Sequence, residues 1–120
     1  MKTNELTGAA LDWAVAKCKG AIDRCGEVTL IGNQLFCWED GERMRYAPST
    51  DWAQGGPIIE REEIALEPMT HDEHGDGWLA TRVEGPAVCM EFGPTPLIAA
   101  MRCYVASHLG DEVDVPEELK

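Results

Sequence analysis

"GPTPLIAAMRCYVASHLG", residues 93–110, carries the clearest local signal in the chain. Thr95 has the hydroxyl of an N-cap, and Pro96 suits the first helical position, where no backbone N–H is needed. Gly110 suits the left-handed exit. Between them, apolar residues at 97, 98, 101, 104, 105 and 109 recur at helical spacing and mark one buried face. A helix with a single buried face needs something flat to cover, and the residues before it supply that surface. "WLATRV" (78–83) and "AVCMEF" (87–92) read as two strands about a Gly85-Pro86 turn.

Further upstream the pattern is mixed. "MTHDEHGDG" (69–77) reads as a polar loop, and Ile64-Ala65-Leu66 as extended chain. Pro57, after Gly56, reads as the opening of a short helix through Glu63. "EVTLI", "QLFCW" and "RMRYA", within residues 27–47, are short strand-like runs. Gly32-Asn33 and Glu39-Asp40-Gly41-Glu42 separate them, which predicts a meander. At the N-terminal side, Thr7 followed by "GAALDWAVAKCKG" predicts a helix. Leu6, Ala10, Trp13, Ala14 and Cys18 lie on its apolar face, Lys17 and Lys19 in its last turn, and Gly20 at its end. The acidic tail "DEVDVPEELK" reads as loose. The sum is one α+β domain over residues 1–120, an antiparallel sheet packed with two principal helices.

Composition narrows the function classes. With 120 residues, 44% of them hydrophobic, the chain can fold around one core. Its 22 acidic against 10 basic residues give a net charge of −12. That charge argues against general nucleic-acid binding, because a phosphate backbone is repelled. A small anionic ligand remains compatible, since a pocket needs only local donors. The five cysteines show no CxxC spacing, and the N-terminal residues have no signal-peptide layout. Reduced thiols, the cytoplasm and no membrane association are therefore expected.

Catalytic motifs are not visible: there is no GxSxG, HExxH or P-loop, and no cofactor fingerprint. "HDEHGD" (71–76) could offer metal ligands, but it reads as a solvated loop, and no metal is expected. Glu62-Glu63 reads as surface. The stretch "STDWAQGGPIIERE" (49–62) is different. Ser49, Thr50 and Asp51 can brace or cap a turn, Gly55-Gly56 permits backbone angles closed to other residues, and Trp52 offers a face on which a base could stack. Gln54 and the glycine amides can read polar edges or phosphates. The competing reading is a braced loop whose Trp fills the core. The start of the Thr95 helix, with its free amides, is a second anion candidate, against which stands simple capping. Arg102 lies about two turns along. Arg43, Arg45, Arg61 and Arg102 are the cations available to assist.

Three ordered motifs resemble the NinX-like family of small tailed-phage proteins: "LTGAALDWAVAKC" (6–18), "STDWAQGGPIIERE" (49–62) and "GPTPLIAAMRCYVASHLGDEV" (93–113). The likeness is weaker over roughly 21–45 and 67–92. The resemblance implies an accessory gene of a variable phage region, where recombination helpers and antagonists of host defence cluster. The expectation built on it is a counter-defence sponge that holds a small nucleotide signal, cyclic or of ADP-ribose type, without turnover. Its pocket would join the Tyr46–Gly56 loop to the Thr95 helix start, with association into a homo-oligomer. The alternatives are an acidic protein-binding inhibitor or DNA mimic, and a recombination accessory.

Overall fold

A computed structural model describes residues 1–18, 28–39, 41–71 and 75–120. The 93–110 signal is realised as helix α3, Pro96–Leu109. The Thr95 hydroxyl accepts the Ile98 N–H at 3.1 Å. Gly110, at φ 83°, donates its N–H to the Ala106 carbonyl. Beneath α3 lies a three-stranded antiparallel sheet of β4 (Ala65–His71), β5 (Gly75–Glu84) and β6 (Ala87–Gly93), with β5 central. The helix approaches closely because it presents its backbone at Ile98 and Ala99 to Gly93. A Cβ on Gly93 would lie 2.5 Å from the Ala99 amide nitrogen.

The meander forms a second, separate sheet, β1 (Val28–Ile31), β2 (Gln34–Glu39) and β3 (Glu42–Arg45), all antiparallel. Gly32, at φ 64°, supplies the left-handed backbone of its two-residue turn. One expected sheet is thus two. Helix α1 (Gly8–Cys18) joins them, packing on α3 and on β2. Leu6, Leu11, Ala14 and Val15 enter the main core with Ile58, Met101 and Val105. Ala16 on the same helix belongs to a smaller core with Val28, Leu35 and Tyr46, and Trp13 touches both. Lys19, Gly20 and Cys25 lie outside the described residues.

Three expectations are corrected. The helix expected to open at Pro57 is α2, Trp52–Arg61, with Pro57 in its interior. Asp51 starts it earlier by accepting the Ala53 N–H at 2.9 Å. Its end is a Schellman motif, in which Ile64 N–H donates to Ile59 and Glu63 N–H to Glu60. The 69–77 loop is instead largely hairpin: Met69, Thr70 and His71 pair with Gly77, Asp76 and Gly75. Backbone pairing there prevails over the polar side chains, which a strand edge can leave in water. The tail is not loose. Val113 and Val115 are buried in the main core, Lys2 bridges to Glu112, and the Met1 ammonium donates to the Val113 carbonyl at 2.9 Å.

Candidate functional site

The segment 46–51 is held from three sides. The Gln54 side chain accepts the Ala47 N–H at 2.7 Å and donates to the Arg45 carbonyl at 2.8 Å. The Thr50 and Asp51 amides both donate to the Ala47 carbonyl, at 3.1 and 2.8 Å. Gly55 leaves room for close packing: a Cβ there would collide with the Pro48 carbonyl and lie 2.6 Å from Leu97 Cδ2. From the third side, buried Asp12 on α1 accepts the Ser49 N–H at 2.8 Å. Burial raises the Asp12 carboxyl to about 6, against the lowering effects of Ser49 and of the Arg45 charge.

This bracing presents one groove of about 210 Å³, lined by Ser49, Thr50 and Trp52 on one side and by Thr95, Pro96, Leu97 and Ile98 on the other. The first turns of α2 and α3 therefore meet there, two positive dipole ends facing one space. Trp52 is 55% exposed, so it does not fill the core. Ser49 is 1% exposed, and its hydroxyl lies beside the Asp12 carboxylate, whose pKa it lowers.

The other expected residues do different work. Tyr46 is buried in the smaller core with its hydroxyl unpartnered, and burial pushes its pKa up. Asp51 is a cap, Gln54 a brace and Gly55 a close-packing contact. Gly55 and Gly56 are helical, so the expected left-handed angles are absent there. The amides of α3 are also mostly used. Pro96 has none, Ile98 donates to the Thr95 side chain, and Ala99 donates to the Thr95 carbonyl at 3.0 Å.

Arg102 is not in the groove. It is buried, with Nε donating to the Leu6 carbonyl and Nη1 to the Phe92 carbonyl, both at 2.9 Å. It lines another cleft, of about 600 Å³, together with Asp76 and Glu91. Helical spacing could not show this, because the side of α3 that bears Arg102 packs against β6 and the turn at residues 3–5.

Sequence reading missed two groups. Asp12 was legible only as a lone carboxylate inside the apolar run of α1. Glu62, expected at the surface, is partly buried: His108 Nε2 lies 3.0 Å from it, Arg61 3.5 Å and Arg82 3.6 Å. Its burial raises its pKa, but the His108 hydrogen bond and the two guanidinium charges lower it further. Among the described residues no cluster of three or more His, Cys, Asp or Glu could hold a metal ion, and residues 72–74 of the His-rich loop lie outside them. No helix among the described residues is long and apolar enough to cross a membrane.

No curated protein matches the chain. A family model described as bacteriophage P22 NinX matches residues 2–108. That match runs from the first residues through nearly all of α3, taking in both walls of the groove. The chain belongs to the NinX family of phage proteins.

Proposed function

We propose that this NinX-family protein sequesters a small nucleotide signal at the Trp52 groove, in the cytoplasm of the infected host, without turning it over. The observation that carries this reading is the convergence on one groove of two helix N-termini and an exposed Trp. Trp52 offers a stacking face to a base, and the dipole ends favour a neighbouring negative charge. At about 210 Å³ the groove is smaller than a typical pocket for a whole ligand, so it takes one end of the molecule. The lining supplies hydroxyls and apolar side chains with no general base among them, which supports retention rather than chemistry.

The reading extends to self-association. The outer face of the β4–β5–β6 sheet exposes Val83 beside its register partner Val88, with Met90 next along β6, and a second copy would cover them. Sedimentation of the wild type and of Val88→Glu measures this directly.

The main test is uptake. The protein is incubated with cyclic nucleotides and ADP-ribose derivatives, separated from free ligand and denatured, and the released compound is identified. Intact release from the wild type, with loss in Trp52→Ala and retention in Arg102→Lys, is the expected result. A chemically altered product would make the protein an enzyme. No uptake of any nucleotide would end this reading.

A further inference from the structure

The outer face of the β1–β2–β3 sheet has a composition unlike the rest of this acidic molecule. Strand alternation and register place Phe36 opposite Arg45, and Trp38 opposite Arg43, on the face turned away from the small core. The four side chains make two adjacent rows, two aromatics along β2 and two guanidiniums along β3. Trp38 is 54% exposed, Arg43 and Arg45 are exposed, and the Arg43 guanidinium lies 4.8 Å from the centre of the Phe36 ring. By the same alternation, Glu42 falls on the opposite face.

The state of these cations is the second observation. Arg61 and Arg82 are paired with Glu62, and Lys120 with Glu117, while Arg102 is bonded to backbone carbonyls. Arg43 and Arg45 make no ion pair among the described residues, and both are exposed. Two exposed guanidiniums in a row beside two aromatic rings match a ligand that carries negative charge along one side and flat rings along the other.

We propose that this face is a stacking platform for single-stranded nucleic acid. Residues two apart on a strand are separated by about 6.6 Å, which is close to the length of one extended nucleotide unit. One base can therefore lie against Trp38 and a second replace the Arg43 guanidinium over Phe36, as Arg43 and Arg45 turn to the adjoining phosphates. An acidic peptide would engage the guanidiniums and leave the rings unused. A duplex buries its base faces and would bring two dense rows of phosphate against an acidic molecule. The net charge of −12 opposes nucleic acid at a distance. At physiological salt, charges beyond about 8 Å are largely screened, so the local face governs contact.

The experiment is fluorescence anisotropy of a short labelled oligothymidylate at several salt concentrations. Two phosphate contacts on a single strand predict a log–log salt slope of about −1.4, and Arg43→Ala or Arg45→Ala should each reduce it by about 0.7. Trp38→Ala should weaken binding by about 5- to 150-fold, with melting curves confirming that the variants fold. Trp52→Ala should leave oligonucleotide binding unchanged, which separates this face from the nucleotide groove. The proposal is overturned by an absence of binding at low salt, by equal affinity for a duplex or for polyglutamate, or by indifference to Trp38→Ala. Loss in Trp52→Ala would also overturn it, by placing the strand in the groove and leaving the nucleotide reading intact.

Discussion

At the scale of single residues, Asp12 and Glu63 carry the clearest energetic consequences. Asp12 is 4% exposed, and burial raises its carboxyl from 3.8 to about 6. A raised carboxyl means that the folded chain holds its proton more tightly than the unfolded chain does. Its contribution to stability is therefore complete below about pH 4 and is lost as pH rises through about 6. At 1.36 kcal/mol per pH unit the loss is about 3 kcal/mol. Asp12→Asn keeps an acceptor for the Ser49 amide and removes the titration. Urea midpoints of both proteins between pH 4 and 7 should diverge, the wild type falling relative to the variant. Glu62 acts with the opposite sign in both proteins and cancels in the comparison. Glu63 sits at φ 54°, the left-handed position that ends α2, without benefit of a glycine. Glu63→Gly should stabilise the fold by about 1 kcal/mol, seen as a higher melting temperature.

At the scale of elements, helix α2 contains its own opposition. Pro57 in its interior removes an N–H from the helical ladder, and residues that precede a proline avoid helical angles when they carry a Cβ. Gly56 relieves the second problem, and the Asp51 cap with the Gln54 brace offsets the first. Pro57 is exposed and touches no core, so Pro57→Ala should stabilise the protein by about 1–3 kcal/mol. Gly55→Ala should do the reverse, costing about 1–3 kcal/mol, since its Cβ would press into the Pro48 carbonyl and Leu97. Thermal melts of the two variants, moving in opposite directions, check both claims. The groove depends on the same contact, because Leu97 is one of its walls. Gly55→Ala should therefore also impair ligand uptake.

At the scale of the whole molecule, the chain ends close the structure. Thr3 is buried and donates its hydroxyl to the Gly110 carbonyl at 2.7 Å, beside the paired backbones of Met1 and Val113. Fully burying a valine stabilises by about 1.5–3 kcal/mol, and the tail buries two. A chain truncated after Gly110 should lose several kcal/mol in denaturant titration. A loose tail would leave the midpoint unmoved.

What the sequence alone determined is whatever short-range chemistry settles. Thr95, Pro96 and Gly110 bound α3 because capping and left-handed exits involve neighbours in the chain, and Gly32-Asn33 closes its hairpin for the same reason. The alternating apolar runs gave most of the strands, and the three ordered motifs gave the family. Tertiary structure decided the rest. The close packing of α2 at Gly55 rests on contacts with Pro48 and Leu97, which its helical pattern does not contain. The division into two sheets follows from α1 burying opposite neighbours in two cores. The candidate site divides along the same line. Trp52 and Thr95 lie 43 positions apart and meet because α2 packs on α3. Arg102, only seven positions beyond Thr95, turns instead to the carbonyls of Leu6 and Phe92. Sequence separation says nothing about that choice, since a helical side chain takes its direction from the surface its helix packs upon.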